Sequence, residues 1–240
     1  MADQRILIVN ADDFGFTRGV NQGIVEAHTK GILTATTLMA EGRAFEDAVE
    51  LARAYPTLDV GVHLVLWPDG DLPQRLPSFL RQALSLSTAE VEGLFTRQVE
   101  KVLAAGITPS HLDTHKHTHI LPHVWKAMVA VAERFKILWI RRSLSPIPYP
   151  PSPSRRTDHF VGVRLTGKMD RESLLAALRR LRPGVTELMC HPGHCDADLQ
   201  SAPTRLKQSR QVELEALTAP ETRALLVENA VELTNFRQCP

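Results

Sequence analysis

Four of the chain's ten histidines and one carboxylate fall within the ten residues Ser-His-Leu-Asp-Thr-His-Lys-His-Thr-His, Ser110 to His119. If this stretch is extended, a period of two places His111, Asp113, His115, His117 and His119 on one face. Neutral imidazole and ionised carboxylate together bind divalent first-row metals, so the segment reads as metal-binding, with a solvated histidine-rich turn as the alternative. A single cluster needs partners. Three other motifs supply them: Asn10-Ala11-Asp12-Asp13-Phe14-Gly15, Gly61-Val62-His63-Leu64 and Cys190-His191-Pro192-Gly193-His194. Each also has a plainer reading, such as an Asx-turn at Asp12 or Asp13, a satisfied core histidine at His63, or ring stacking of His191 beside Pro192. Adjacent Asp12 and Asp13 repel in a dry site unless a cation neutralises one of them. One aspartate then serves as ligand while the other takes a proton from water, which is the division of labour that metal-assisted hydrolysis requires.

These residues must be delivered by elements, and the chain alternates short β-branched runs with helical patterns, the signature of βα units around a parallel sheet. Strands are expected at Arg5–Asn10, Thr34–Met39, Val60–Leu66, Thr108–Asp113, Ile137–Arg141, Phe160–Val163, Thr186–Cys190 and Val231–Phe236. Helices are expected at Val20–Thr29, Phe45–Ala54, Ala89–Ala104, His123–Phe135 and Arg171–Leu181, capped by Thr17, Thr88 and Asp170 and stopped at Gly31 and Gly106. In such folds chemistry gathers at the carboxyl ends of strands, where all four motifs fall. The proline-rich segment Ser143–Ser154 forbids a helix or a central strand and is a long loop, either an exposed connection or a lid.

With 240 residues, 43% hydrophobic and 23% charged, the chain has enough apolar content for one large core. Its formal net charge of +1 gives no electrostatic reason to expect nucleic acid or an acidic membrane as partner. The short apolar run Ile6–Val9 is neither a signal-peptide core nor a membrane span, so the expected location is cytoplasmic with no integral membrane segment. Cys190, Cys195 and Cys239 are too few for a disulfide framework.

Asn-Ala-Asp-Asp-Phe-Gly, Gly-Val-His-Leu, His-Leu-Asp-Thr-His-x-His-x-His and Met-Cys-His-Pro, in this order, resemble the YdjC-like family of carbohydrate deacetylases over nearly the whole chain. The resemblance implies an α/β fold, a distorted (β/α) barrel related to the polysaccharide deacetylases, with mostly parallel strands in one domain over residues 1–240. It implies removal of acetyl groups from N-acetylated amino sugars such as chitooligosaccharides. It further implies Asp13, His63 and His115 as ligands of one divalent metal ion, Asp12 as general base, and His191 as an acid or intermediate-stabilising group. Asp113 is expected to orient an imidazole or bond a sugar hydroxyl. His117 and His119 are expected to line the substrate channel or to be structural, and Lys116 to be solvated or to face an anionic group. Zinc or magnesium is the expected metal, with cobalt or manganese as substitutes. The pocket wall Trp67–Leu86 is expected to differ from that of chitooligosaccharide enzymes, and the apolar loop Ser145–Pro153 would suit the tail of a glycolipid, as in a related hopanoid-associated branch, or equally a protein contact. The partner is a small acetylated sugar, and a homodimer stays open.

Three rival readings remain: a non-haem iron enzyme using two histidines and a carboxylate, a structural zinc site from Cys190, His191, His194 and Cys195, and a non-catalytic metal- or sugar-binding protein.

Overall fold

The computed structural model describes residues 4–67, 83–143 and 152–240. The suggested lid at Ser143–Ser154 and the suggested wall at Trp67–Leu86 fall mainly outside these residues. In chain order the described elements are β1 (Arg5–Phe14), α1 (Arg18–Lys30), β2 (Ala35–Leu38), α2 (Phe45–Ala54), β3 (Asp59–Leu64), α3 (Thr88–Ala104) and β4 (His111–Thr114). After a 3-10 turn at His115–Ile120 come α4 (Pro122–Arg134), β5 (Trp139–Ile140), β6 (His159–Val161) and, after another 3-10 turn, α5 (Arg171–Leu178). The chain ends with β7 (Gly184–Cys190), α6 (Ala197–Ser201), α7 (Gln208–Thr218), α8 (Pro220–Glu228) and β8 (Val231–Leu233).

Local chemistry sets the helix starts. The Thr17 hydroxyl accepts from Val20 N at 3.2 Å, and Asp170 Oδ1 accepts from Ser173 N at 2.9 Å. Helix α3 is capped by Ser87, not Thr88. Ser87 Oγ accepts from Glu90 N while Glu90 Oε2 accepts from Ser87 N, a reciprocal pair that satisfies two free amides at once. Between β7 and β8, where the sequence pattern gives no clear helix bounds, lie three helices, α6, α7 and α8.

All described strand pairs are parallel, in the order β5-β4-β3-β2-β1-β7-β6, with β8 also on β1. The sheet curls into a distorted barrel. Its β5 edge bonds Arg155, on the segment leading into β6 at the far edge: Ile140 N donates to Arg155 O at 3.0 Å and Arg155 N to Leu138 O at 2.7 Å. Strand β1 is central. It pairs β7 from Arg5 to Ala11, while its other edge pairs β8 at Arg5–Leu7 and β2 at Asn10–Phe14.

Alternation along β1 separates two environments. Leu7, Val9 and Ala11 pack outward in the large apolar layer that also holds Val20, Ile24 and Ala27 of α1. Ile8 faces inward with Ala35, Trp139, Phe236 and Cys239, which plug the amino end of the barrel. Above that plug the lumen turns polar: His111 stacks on Phe236 at 3.8 Å and its Nε2 lies 3.0 Å from Asn10 Oδ1.

Candidate metal and catalytic site

The carboxyl end of β1 is irregular, and the irregularity creates the site. Between Ala11 and Phe14 the chain advances three residues against two on β2, a β-bulge at Asp12 and Asp13. Asp13 has φ of +71°, a left-handed conformation costly for a residue with a side chain, and Gly15 follows at +93°. The turn is pinned from α1, where Asn21 Oδ1 accepts from Gly15 N at 2.6 Å and Asn21 Nδ2 donates to Ala44 O and Asp47 Oδ2. The bend aims the two neighbouring carboxylates at different partners.

Asp12 is directed into the lumen. Arg141, just beyond β5, donates to Asp12 Oδ2 and Oδ1 at 2.9 and 2.7 Å. The same guanidinium lies 2.8 Å from Asp113 Oδ2 and 2.8 Å from Glu187 Oε1. One cation therefore holds three carboxylates from β1, β4 and β7, with Arg141 itself 1% exposed. Burial raises the Asp12 carboxyl, but the Arg141 charge outweighs it and holds the group well below the usual range. Glu187 goes the other way. Burial dominates there and lifts it to about 7.

Asp13 is directed at two imidazoles. Its Oδ1 lies 3.1 Å from His115 Nδ1 and 3.4 Å from His63 Nε2, and those two nitrogens are 3.2 Å apart. Donors about 2.1 Å from one cation, at angles of about 90–110°, stand about 3.0–3.4 Å from one another, so this trio fits a single first-row ion. The tautomer fits as well. His63 Nδ1 donates to Asp113 Oδ1 at 2.6 Å, so Nε2 is the nitrogen that faces Asp13 and His115 and would meet a metal in exchange for its proton. Thr37 Oγ1 donates to Asp113 Oδ2 at 3.1 Å. Burial disfavours charge on His63, yet the Asp113 carboxylate prevails and raises it to about 10. Positive charge is thus favoured at this point, as it would be for a bound cation. Asp12, His63 and Asp113 form a second close trio. Their oxygens are already taken by Arg141 and the His63 N–H, so the first trio is the metal candidate.

His191 follows β7 and completes the opposite wall. Its Nε2 is 3.9 Å from Asp12 Oδ2, and its backbone N donates to Glu213 Oε2 at 2.6 Å. Burial pushes the His191 imidazole down to about 4 and Glu213 up to about 7.

The rest of the histidine cluster departs from the period-two reading. Strand β4 ends at Thr114, and Lys116 and His117 both have φ of +54°, so the alternation holds for His111, Asp113 and His115 and then stops. His119 turns into the core, with Nδ1 2.6 Å from Thr114 Oγ1 and its ring beside Trp125. His117 lies against the rings of His119 and Phe160, and burial lowers it to about 3. Its Nδ1 has no hydrogen-bond partner among the described residues. Lys116 is exposed, with burial of its stem and the charge of Arg205 lowering it. The alternative Cys190/His191/His194/Cys195 site does not assemble. Cys190 Sγ donates to Asn10 O, and His194 Nε2 lies 3.1 Å from Glu26 Oε2.

Sequence reasoning missed Arg141, Glu187, Arg210, Glu213 and Asn21. Glu187 did carry a signal: it is an acidic residue in the apolar strand Thr-Glu-Leu-Met-Cys. Arg210 on α7 donates to Asp13 Oδ2, and with burial opposing, its charge holds the Asp13 carboxyl well below the usual range.

A family model described as YdjC-like protein matches residues 6–228. The carbohydrate deacetylase of Geobacillus stearothermophilus is 36% identical over 245 residues, covering 98% of each chain. That of Vibrio vulnificus YJ016 is 33% identical over 247 residues, covering 97% of this chain and 95% of its own. Among solved structures, one from Enterococcus faecalis V583, provisionally described as a cellobiose-phosphate cleavage protein, superposes with a TM-score of 0.86 at 27% identity, covering 98% of both chains. The family 4 carbohydrate esterase of Streptomyces lividans, solved with acetate, shares the fold at a TM-score of 0.55 and 11% identity, covering 98% of this chain and 95% of its own.

Proposed function

The chain belongs to the YdjC-like family, and from that premise and the site we propose that it is a metal-dependent carbohydrate deacetylase, releasing acetate from an N-acetylated amino sugar. The observation that carries this reading is the juxtaposition at the β1 bulge. A carboxylate and two imidazoles converge within 3.4 Å of one another, and an ionised second carboxylate is held beside them by Arg141. Names of the relatives supply the substrate class.

Asp13, His63 and His115 would hold a divalent ion, which supplies Lewis acidity that lowers the pKa of water and polarises an acyl oxygen. Two nitrogen donors and one oxygen donor favour zinc, cobalt or manganese over magnesium, which prefers an all-oxygen shell. Asp12 is the base that accepts the proton of the attacking water. Arg141 keeps it ionised and fixes its direction, so basicity is traded for position. His191 rests neutral, because burial disfavours its charge. With Nε2 3.9 Å from Asp12 Oδ2, it is placed to relay the proton gained by Asp12 to the departing amine nitrogen as the carbon–nitrogen bond breaks. The amine leaves neutral beside acetic acid and takes its second proton from that acid, so the products are acetate and a protonated amine and no net proton is left on the enzyme. His117 and Phe160, in edge-on contact with each other, would offer aromatic surface to a sugar face.

The test is acetate release by zinc- or cobalt-loaded protein across N-acetylglucosamine oligomers and N-acetylglucosaminyl lipids. Release from at least one class, abolished by chelation, is the expected result. Silence across the whole panel would favour a sugar-binding role. No helix among the described residues is long and apolar enough to cross a membrane.

A further inference from the structure

Asp13 has two oxygens, and the structure gives them different occupations. Oδ1 faces His63 Nε2 and His115 Nδ1. Oδ2 accepts from Arg210 Nη2, a residue 197 positions away on α7. Arg210 is buried at 1% exposure, and its Nε donates to Leu206 O at 3.2 Å. Its guanidinium carbon sits 5.8 Å from the Phe16 ring centroid. The helix carrying it is fastened to the end of β7 at two points: Gly193 N donates to Arg210 O at 3.1 Å, and His191 N donates to Glu213 Oε2 one turn later. Arg210 is therefore held in place by its own helix and offers Asp13 a single N–H, from Nη2, instead of following the carboxylate wherever it turns, while its buried Nη1 has no hydrogen-bond partner among the described residues.

We propose that Arg210 holds Asp13 as a single-oxygen metal ligand and so keeps a coordination position open for water or substrate. A carboxylate whose second oxygen is bonded to a rigid guanidinium presents one donor. The same carboxylate freed from that bond rotates and chelates with both oxygens. A three-donor set with open positions is the catalytic arrangement, whereas each added protein donor moves a site toward the closed, structural kind. The guanidinium charge also draws electron density from Asp13, which leaves the bound cation a stronger Lewis acid. Arg210 is thus a positioning residue acting through Asp13. Lysine would not substitute, because a point charge on a flexible stem lacks the rigidly directed N–H that holds Oδ2. The inference rests on the metal reading of Asp13, His63 and His115 given above.

Two measurements test it. In a crystal structure of the zinc-loaded wild-type protein, Asp13 Oδ1 is expected on the metal and Oδ2 on Arg210. Both oxygens on the metal would overturn the proposal. The second measurement is visible absorption of protein titrated with cobalt(II), comparing wild type with Arg210→Met, whose folding is checked by thermal melting. The expected result is one cobalt per chain in both, with loss of ligand-field band intensity in the variant as its coordination number rises. Superimposable spectra would remove Arg210 from this role while leaving the metal site standing. A wild-type protein that takes up no cobalt or zinc would instead sink the metal reading itself, and the inference with it.

Discussion

Arg141 grips both oxygens of Asp12, at 2.9 and 2.7 Å, across 129 residues of sequence. Since the same guanidinium also reaches Asp113 and Glu187, its removal strands three buried carboxylates. Arg141→Met is expected to cost on the order of 3–5 kcal/mol in urea denaturation, the usual result of leaving buried charge unpaired. Arg141→Lys restores a charge but not the fork. It should recover much of the stability while kcat stays down by roughly 10²-fold, a split that a purely structural arginine would not produce.

Asp12→Asn keeps the shape of the side chain and removes the proposed base. Neither Asp12 oxygen belongs to the Asp13, His63 and His115 trio, so metal content should match wild type. Acetate release should fall by roughly 10²- to 10⁴-fold. Near-normal turnover in this variant would move the base role to another residue.

Asp113 would act on the proposed metal site through His63, whose Nδ1–H it receives at 2.6 Å. Asp113→Asn offers that nitrogen a weaker acceptor or, with the amide turned round, a donor. Zinc affinity measured by competition with a chelator is expected to fall by about 10- to 100-fold. An unchanged affinity would show that the imidazole needs no orienting partner.

Glu187 gives a pH-dependent signature. Burial lifts its carboxyl from 4.5 to about 7, so the folded protein retains a proton that the unfolded chain has released. The stability this contributes is fully present below pH 4.5 and is lost as pH rises through about 7. Glu187→Gln removes the titration. Its stability relative to wild type should therefore grow with pH, reaching on the order of 2–3 kcal/mol at about pH 8, given about 1.4 kcal/mol per pKa unit. Urea midpoints of both proteins at about pH 5 and about pH 8 check this. A constant difference would refute it.

Much of the site was legible in the sequence because its parts sit at strand ends, where local pattern marks them. Asp12, Asp13, His63, Asp113, His115 and His191 all lie at or just beyond the carboxyl ends of β1, β3, β4 and β7. The histidine cluster was over-read for a physical reason. Period two needs an extended backbone, and the two left-handed residues Lys116 and His117 end it. Arg141 and Arg210 were invisible for another reason. Their partners are 129 and 197 residues away, and an arginine buried by a distant ion pair leaves the same local pattern as a solvated one. The helix carrying Arg210 reads Gln-Ser-Arg-Gln-Val-Glu-Leu-Glu-Ala-Leu-Thr, mostly polar. Its inward face is partly charged, with Arg210 and Glu213 buried alongside Leu214 and Leu217, so apolar periodicity understates it.

Strand β1, laced to β7 on one edge and to β8 and then β2 on the other, carries both Asp12, the proposed base, and Asp13, the proposed metal ligand. A strand bonded along both edges is released only when its neighbours separate together, so its amides are expected in the slowest hydrogen-exchange class, the one that opens through global unfolding. Fluctuations that loosen the periphery leave the carboxylate pair in register. The candidate site and the cooperative fold are therefore one unit, and a denaturant titration followed by activity and by amide exchange of β1 should trace a single curve.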